Sequence, residues 1–507
     1  MDDRRSARLA QLAAQNKMPR VGVIGAGISG LRSAQVLLQK GFHVTVLEAR
    51  DRIGGRVHQE TLNGHSVDMG ANWIHGMEKN PIARLAAETD TVLCKDDPLS
   101  VVFDTHGRPI PEDVAKQCGE FVEALLDEAE EYSHRNQAEI SPSRTVRDFM
   151  LEEIAKSKLS AESRVLCEQM VRGYDSLFGD PLESQSLKFL YLQDGHSGED
   201  VFVASTYKPI ISSLALEAPE AIRLNQEVVK ITTSPRADDT EAVTVETKAG
   251  LVESFDEVVM TCPIGWLQRN KDVFNPRLPP KMERAVDAIG YGDLEKILVS
   301  FPTPFWDPPE RKGMSPPALS EWNFLSPQNH PYTPELGSWS QMIVSLSSLP
   351  GGNGHPTLLF YIYPPLTHRL MPILKGMEPH SEPYNEVLRE FTEPFYALLP
   401  NYDANTFRPA SFLASQWLND PFAYGSYSNV RVTQSNAAED FRMLKTGGGK
   451  GKLGHNLMGH DRGIWFAGEH TNAPRDIGTT TGAWASGDRA AKHILLSYGL
   501  KPSVSNQ

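Results

Sequence analysis

Three glycines near the N-terminus have the spacing that nucleotide binding requires. The apolar run from Val21 to Ile24 ends directly in Gly25, Gly27 and Gly30. After a buried strand, such glycines permit a tight turn, a close approach of the backbone to a pyrophosphate and close packing of the next helix. Unpaired N–H groups and the dipole at the start of that helix favour negative charge. The pattern therefore predicts a site for an adenine dinucleotide.

A carboxylate and two arginines extend this site. A second apolar run, residues 44–47, ends at Glu48, where a carboxylate accepts hydrogen bonds from an adenosine ribose. The segment Arg52-Ile-Gly-Gly-Arg56 follows, and a planar guanidinium suits phosphate contact. The glycines alone would suit an NAD-dependent dehydrogenase equally well, so the arginine segment carries the choice between a flavin and a nicotinamide cofactor.

A second glycine turn lies far along the chain. Residues 463–467 predict a strand that ends at Gly468, and residues 482–495 predict a helix that starts with small residues. This turn and helix start would place N–H groups against the other end of the same cofactor. Glu469 in the turn would repel a pyrophosphate, so its expected partners are ribityl hydroxyls or a phosphate-bound water.

Together these motifs resemble those of the flavin-containing amine oxidases, in the polyamine oxidase branch that holds fungal and animal polyamine and spermine oxidases. Gly70-Ala-Asn-Trp-Ile-His-Gly76, Lys296, Trp417 and residues 466–471 follow in the family's order, across almost the whole chain. The resemblance implies an α/β fold, with a Rossmann-like FAD-binding domain in three discontinuous segments and an α+β substrate-binding domain. The expected bounds are 1–18 for an N-terminal extension, 19–90, 206–285 and 430–498 for the FAD-binding domain, 91–205 and 286–429 for the substrate-binding domain, and 499–507 for a tail.

The resemblance also assigns contacts to FAD. The matching positions are Gly25, Ala26, Gly27, Ser29, Gly30, Glu48, Ala49, Arg50, Gly55, Arg56, Gly70, Ala71, Asn72, Trp73, Val228, Trp417, Gly468, Glu469, Thr479 and Thr480. Val228 would meet the adenine side through its backbone, although packing alone would also select a valine in a strand. Mitochondrial monoamine oxidases carry a cysteine bonded to FAD where this chain has Ser426, so the FAD is expected to be non-covalent.

The implied reaction oxidises an amine. A hydride equivalent passes from the carbon beside the nitrogen to flavin N5, the imine is hydrolysed to an aldehyde and an amine, and O2 is reduced to H2O2. Lys296 matches a lysine that holds a water near N5, and it is the predicted catalytic residue. It precedes the apolar strand 297–301, so it is able to point inward, where desolvation lowers a lysine pKa. The residues alone leave open the alternative that Lys296 is an exposed lysine at the start of a strand.

Four further residues are predicted to contact the substrate. Tyr427 matches one aromatic wall in front of the flavin, Trp417 matches a tryptophan beside it, and Thr479 stands where monoamine oxidases and plant polyamine oxidases carry tyrosine. The expected cage is therefore half open, as in animal polyamine oxidases. His75 matches a histidine near the substrate nitrogen and would bind an amine or relay a proton. Two alternatives stay open: Tyr427 and Trp417 are ordinary core aromatics, and His75 is a loop histidine that bonds to the backbone.

The composition limits the class of protein. The 507 residues, 40% hydrophobic and 22% charged, predict two globular domains. A net charge of -14 argues against a nucleic-acid partner, and it favours a cationic substrate only weakly. Four cysteines without a Cys-x-x-Cys pair predict no metal site and no disulfide framework. The apolar stretches fall short of the roughly 20 residues of a membrane helix, so no membrane partner is expected.

The resemblance implies a small polyamine and O2 as partners, and the expected state is a monomer or homodimer in the cytoplasm. A peroxisomal location stays open, although the terminal Ser505-Asn506-Gln507 is not a Ser-Lys-Leu address. Two other functions also stay open. One is a monoamine or L-amino-acid oxidase, which the Thr479 position disfavours. The other is a flavin-bearing binding or scaffold protein without catalysis.

Several segments carry weaker predictions. Residues 1–18 are expected to be a mobile extension that is partly helical from Ala7 to Ala14. Residues 121–131 are expected to form an acidic helix with a solvated face rather than a funnel for polyamines. Residues 446–453, rich in glycine and lysine, predict a flexible loop. Asp194, Glu199 and Asp200 are expected in a solvated loop, with attraction of a distal ammonium group as the alternative.

Overall fold

A computed structural model describes residues 3–95, 99–215, 218–235, 241–307, 319–433, 436–446 and 462–502. Residues 447–453 of the predicted flexible loop lie outside the described residues, as do 503–507 of the predicted tail. No helix in the described ranges combines the length and apolar character needed to cross a bilayer.

A five-stranded parallel sheet carries the predicted nucleotide end. Its strands, in spatial order, are Ile464–Phe466, Glu257–Met260, Arg20–Ile24, His43–Leu47 and Ile222–Arg223. The two predicted N-terminal strands are confirmed, with Val23 beside Val46 in the register. Strands from three distant parts of the chain therefore meet in one sheet, as a discontinuous Rossmann-like domain requires.

Two helices close one face of this sheet. The helices Ile28–Leu38 and Thr480–Ser497 pack so closely that Ser29 Oγ lies 3.1 Å from Ser486 Oγ. A Cβ at Gly487 would collide with the Ser29 carbonyl oxygen, so only glycine permits this approach. The predicted C-terminal helix is confirmed, and it brings the second glycine turn beside the first.

A second, larger sheet positions the catalytic candidates. Its six strands run in the spatial order Ser411–Ala414, Glu295–Ser300, Thr357–Ile362, Ser340–Ser345, Ser320–Leu325 and Leu99–Phe103. All neighbours are antiparallel except the last pair, which is parallel. The Glu295–Ser300 strand is buried at every position, as the apolar run after Lys296 predicts.

Smaller sheets join the two regions. A four-stranded sheet contains Val252–Phe255, Glu241–Thr247, Val228–Pro235 and Phe274–Asn275, and a three-stranded one contains Trp73–Ile74, Val201–Val203 and Leu93–Lys95. Two-stranded pairs are formed by Gln59–Leu62 with His65–Asp68 and by Gly290–Tyr291 with Ser428–Asn429. The three-stranded sheet crosses the expected domain limit at 90/91, and the domain limits stay a prediction.

The remaining helices surround these sheets. Their bounds are Asp3–Ala14, Pro81–Glu88, Glu112–Asn136, Val146–Lys156, Ala161–Met170, Asp175–Phe178, Lys208–Ser213, Ile264–Arg269, Pro280–Ala288, Thr333–Leu336, Leu366–Leu374, Glu382–Tyr396 and Ala437–Thr446. Short 3-10 turns cover Val171–Tyr174, Leu190–Gln193, Pro219–Ala221, Lys271–Val273 and Glu469–Thr471. The predicted acidic helix is confirmed and is longer than its apolar spacing indicated, because its ends are polar.

The N-terminal segment is helical where residues 7–14 were predicted to be, but its described part is packed rather than mobile. The helix Asp3–Ala14 packs on the dinucleotide sheet, with Leu12 buried. Arg5 Nε donates to Glu257 Oε1 at 2.5 Å, and Trp465 Nε1 donates to Glu257 Oε2 at 2.7 Å. A buried carboxylate requires such partners, and the long sequence separation hides this pairing from pattern analysis.

Candidate active site

One continuous cleft of 2510 Å³ runs between the dinucleotide sheet and the six-stranded sheet. Ligand pockets usually measure about 300–1,000 Å³, so the cleft has room for a large cofactor together with a substrate. Apart from Ala26 and Gly30, every predicted site residue lines it. Those two glycine-loop residues lie behind it.

The glycine turn has the geometry that its sequence predicts. Gly25 has φ +104°, which a residue with a side chain rarely adopts, and a Cβ at Gly30 would collide with the Gly25 carbonyl oxygen. Gly27 is different, because a Cβ there would meet nothing nearer than Gly54 O at 3.9 Å. Protein packing therefore explains Gly30, while the open side of Gly27 faces the cleft.

Glu48 is buried at the end of its strand and organises the turn. Its carboxylate accepts hydrogen bonds from Ala26 N at 2.7 Å and from Arg50 N at 2.9 Å. Ala49 and Arg50 follow it along the cleft, and Arg50 Nη2 donates to Asp420 Oδ2 at 2.6 Å. A carboxylate oxygen accepts more than one hydrogen bond, so Glu48 keeps capacity for a ribose hydroxyl. Val228 lines the cleft beside this end and is buried.

Arg56 and the buried Glu469 form an ion pair that joins the segment 52–56 to the second glycine turn. Arg56 Nη1 lies 2.9 Å from Glu469 Oε1 and also donates to the Ser426 carbonyl oxygen at 2.6 Å. Glu469 accepts further bonds from Ser428 Oγ at 3.1 Å and Gly478 N at 2.8 Å. Burial alone would raise the pKa of Glu469, but the Arg56 charge and these donors lower it below its usual range.

This pairing gives each residue a partner within the protein. The expected contacts of Glu469 with ribityl hydroxyls or a phosphate-bound water stay a prediction. The ion pair neutralises the Glu469 charge within the protein. Gly55 and Gly468 beside them have φ of +61° and +118° and line the cleft.

Lys296 points inward, which confirms the predicted orientation. It is 4% exposed, and its Nζ donates to Asp68 O at 2.9 Å and to Gly70 O at 2.5 Å. Burial lowers the pKa of Lys296 to about 7, while the nearby Asp68 charge opposes that shift. Burial likewise raises the pKa of the Asp68 carboxyl to about 6.

The segment that receives Lys296 is fixed by aromatic and amide side chains. Gly70, Ala71, Asn72 and Trp73 all line the cleft. Asn72 Nδ2 and Trp73 Nε1 donate to the Tyr361 hydroxyl at 2.9 and 3.1 Å. The Tyr361 ring lies 5.9 Å from Lys296 Nζ, in the cation–π arrangement.

The two predicted aromatics lie in the same cleft, each with a backbone anchor. Trp417 Nε1 donates to Met69 O at 3.0 Å, and Tyr427 OH donates to Ser176 O at 3.0 Å. Thr479 caps the last helix, with its Oγ1 accepting from Gly482 N at 3.0 Å, and Thr480 follows it along the cleft. The cap gives Thr479 a structural role that is independent of substrate contact.

His75 pairs with Asp200, and this contact fixes the position of one of its ring nitrogens. Its Nδ1 lies 2.7 Å from Asp200 Oδ2, and Gly76 N donates to Asp200 Oδ1 at 2.8 Å. Both side chains are partly exposed at the cleft. Burial would raise the pKa of Asp200, but the His75 contact and the Gly76 N–H lower it. Asp194 and Glu199 are also paired, with His134 and Lys95.

The acidic helix Glu112–Asn136 borders the outer part of the cleft. Its cleft-lining carboxylates are Glu112, Glu120, Glu123, Asp127, Glu130 and Glu131. Spacings of three and four residues put the last five on one helix face. Burial, followed by the charges of Asp194 and Asp127, raises the pKa of Glu130 to about 7. These carboxylates therefore repel one another in the outer part of the cleft beside this helix, which we call the mouth.

A family model described as flavin containing amine oxidoreductase matches residues 28–495. The chain belongs to this family. It is similar to polyamine oxidase 4 of Oryza sativa subsp. japonica, at 28% identity over 96% of this chain and 91% of that protein. It is equally similar, at 28% identity over 94% of this chain and 95% of the relative, to the human peroxisomal N(1)-acetyl-spermine/spermidine oxidase.

Two other relatives extend the comparison. A Candida albicans protein named corticosteroid-binding protein is 26% identical over 95% of this chain and 96% of its own length. A solved structure of a redesigned putrescine oxidase superposes with a TM-score of 0.67 at 17% identity, covering 94% of this chain and 99% of that chain. The latter likeness shows the amine oxidase fold.

As a flavin amine oxidase the protein uses FAD, and the cleft fits it. No side chain caps the helix Ile28–Leu38, and its first turn has no acidic residue, which leaves N–H groups for a pyrophosphate. The open side of Gly27 leaves room for it, and the Arg56–Glu469 pair removes a repelling charge. When bound, FAD supplies the electron acceptor for oxidation of an amine.

Sequence reasoning missed two residues of this site and one pairing. Tyr361 is the cross-strand neighbour of Lys296, and Asp68 shares its buried surroundings. Asp200 was considered, but not its pairing with His75. The strand pairing that brings Tyr361 to Lys296 joins segments about sixty residues apart, and no local pattern announces it. Asp68 lies two residues before the Gly70 motif, and this nearness was the signal that could have pointed to it.

Proposed function

We propose that this flavin amine oxidase oxidises a polyamine such as spermine, spermidine or an acetylated form. Lys296, Trp417 and Tyr427 would serve the inner end of the cleft, where the reacting C–N group lies beside the cofactor. His75 and Thr479 would contact the substrate nearby. The named rice and human relatives act on this substrate class by name, which supports the proposal.

The acidic face of the helix Glu112–Asn136 is the observation that carries the choice of a polyamine. Within the described residues, neither Glu123 nor Asp127 forms an ion pair, although both line the mouth. A substrate with several ammonium groups would offset the repulsion that raises the Glu130 pKa. A small monoamine has no second charge to place there.

The residues at the inner end suit an amine that must lose a proton before oxidation. A protonated ammonium has no lone pair to assist C–H cleavage, so a neighbouring group must accept its proton. Lys296 and His75 both line the cleft, and burial of Lys296 disfavours its charged form, so both side chains are candidates for this acceptor.

Anaerobic mixing tests the proposal. The FAD-loaded protein is mixed with spermine, N-acetylspermine, benzylamine or an L-amino acid, and loss of the yellow colour is followed. Spermine or N-acetylspermine should bleach the flavin fastest. Faster bleaching by benzylamine or the amino acid would favour the monoamine or amino-acid oxidase, and bleaching by none would favour a binding protein.

Three further features remain part of the proposal. FAD is bound non-covalently, because the Ser426 hydroxyl cannot form the thioether of a cysteine, and acid precipitation should release the colour from the protein. The domain bounds expected from the sequence are the second feature of the proposal. The protein is a monomer or homodimer in the cytoplasm, although two similar proteins carry the word peroxisomal in their names.

A further inference from the structure

Glu295 directly precedes Lys296 on a buried strand, and successive side chains of a strand point to opposite faces. Glu295 is 1% exposed and does not line the cleft. Its Oε2 accepts from Ser415 Oγ at 2.5 Å, and its Oε1 accepts from Leu418 N at 2.7 Å. The backbone N–H of Trp417 also donates to this carboxylate. A costly buried carboxylate is thus held by three donors.

Ser415 connects this carboxylate to the backbone of Lys296. Lys296 N donates to Ser415 Oγ at 2.8 Å, and Ser415 N donates to Lys296 O at 2.9 Å. At the other side, the Trp417 indole and Lys296 Nζ both bond to carbonyls of the segment 69–70. Hydrogen bonds therefore link Lys296 to Trp417 by two routes. One runs through Ser415 and Glu295 behind the cleft, and the other runs through the carbonyls of the segment 69–70 within it.

The chemistry of the three donors requires an acceptor at position 295. Two backbone N–H groups and one hydroxyl hydrogen converge there, and the two oxygens of the Glu295 carboxyl group accept all three. A glutamine would turn an NH2 donor toward one of them, and the Ser415 hydroxyl would lose its acceptor. Satisfied buried networks of this kind fix a single geometry.

We propose that Glu295 is a positioning residue that sets the Trp417 ring relative to Lys296 at the inner end of the cleft. It acts through the backbone of residues 415–418 and touches neither substrate nor cofactor. The role does not depend on which amine is oxidised, since the substrate-facing carboxylates lie at the other end of the cleft.

The test compares Glu295→Gln and Ser415→Ala with the wild type, each loaded with FAD. A misplaced Trp417 should shift the visible absorption and fluorescence of the resting flavin, a readout that needs no substrate. The flavin reduction rate, measured with whichever amine bleaches the wild type, should fall roughly 10- to 100-fold. The apparent affinity for that amine should change by less than about threefold, because the mouth is untouched.

Two comparisons separate positioning from general folding. In a Trp417→Phe background, adding Glu295→Gln should change the rate by less than about twofold, because the residue acts through Trp417. Asp175→Asn alters another buried carboxylate, which accepts from Leu182 N and has no contact with Lys296 or Trp417. This control should keep the flavin spectrum of the wild type.

Unchanged spectra and rates in both Glu295→Gln and Ser415→Ala would overturn the proposal. It would also be overturned if Glu295→Gln slowed the Trp417→Phe enzyme as much as the wild type, or if Asp175→Asn shifted the flavin spectrum equally. If Glu295→Gln fails to fold, Ser415→Ala alone decides by the same readouts.

Discussion

The two ends of the cleft both carry charged groups, but they hold them in opposite surroundings. At the inner end Lys296 is 4% exposed and bonds to carbonyl oxygens of Asp68 and Gly70. At the mouth Glu123 and Asp127 remain exposed on one face of a helix. The buried lysine has a strongly lowered pKa, whereas the exposed carboxylates stay in water.

This difference in burial suits the two ends of the cleft to two different tasks, chemistry at the inner end and substrate selection at the mouth. A desolvated group interacts strongly with its neighbours and changes protonation near neutral pH, which suits chemistry. A solvated group attracts a charged ligand over a distance and is screened by salt, which suits selection. We therefore expect inner-end changes to act on rate or cofactor, and mouth changes to act on substrate affinity.

Replacement of Lys296 should have the largest effect. Lys296→Met removes the buried amine at the inner end, so flavin reduction or reoxidation should slow by at least about 100-fold while FAD stays bound. Lys296→Arg should fail as well, because an arginine cannot become neutral. Stopped-flow absorbance measures both half-reactions. Lys230→Met, at an exposed ion pair, is the matched control and should retain wild-type rates.

Breaking the Arg56–Glu469 pair should act on the cofactor. Arg56→Ala leaves the buried Glu469 carboxylate uncompensated, which costs about 3–5 kcal/mol in comparable pairs. We expect the protein to be purified with little FAD and to melt at lower temperature, by FAD absorbance and differential scanning fluorimetry. Arg369→Ala removes an exposed pair and should do neither. Full FAD occupancy in Arg56→Ala would contradict this role.

Acid should lower the free energy of unfolding of the protein through His470. Burial lowers the pKa of His470 to about 4, and neither ring nitrogen has a hydrogen-bond partner among the described residues. The unfolded state then binds the extra proton between about pH 6.5 and pH 4, so stability falls as pH decreases through that window. At pH 5 the loss is about 2 kcal/mol for this group.

The His470→Leu variant checks this assignment. A leucine has no proton to gain, so the decline in melting temperature between pH 6.5 and pH 4 should be shallower than in the wild type. Identical slopes for the two proteins would show that other groups, such as the buried His355, carry the acid sensitivity.

Neutralising the mouth should have the smallest effect. Exposed charges contribute about 0.2–1 kcal/mol each, so Glu123→Gln, Asp127→Asn and Glu130→Gln together should raise the KM for spermine roughly 10-fold with kcat nearly unchanged. The matched control changes net charge equally on surfaces outside the cleft, by Asp113→Asn, Glu128→Gln and Glu139→Gln. A loss of kcat without a KM change in the first variant would break the division of tasks.

The sequence predicted the dinucleotide end better than the substrate end because its signals are local. The strand, the glycine turn and Glu48 lie within about thirty residues, and their order alone implies their geometry. The neighbours of Lys296 come from strands and loops that meet only after folding, so Tyr361 and Glu295 carry no visible pattern. The docking of Arg5 on Glu257 was missed for the same reason.

The salt dependence of flavin reduction tests the central claim most directly. Rapid anaerobic mixing gives a limiting reduction rate and an apparent Kd for spermine and for benzylamine at low and high ionic strength. A mouth that selects polycations predicts that the Kd for spermine rises steeply with salt, that the Kd for benzylamine changes little, and that both limiting rates stay constant. Equal salt dependence of the two Kd values would contradict the account.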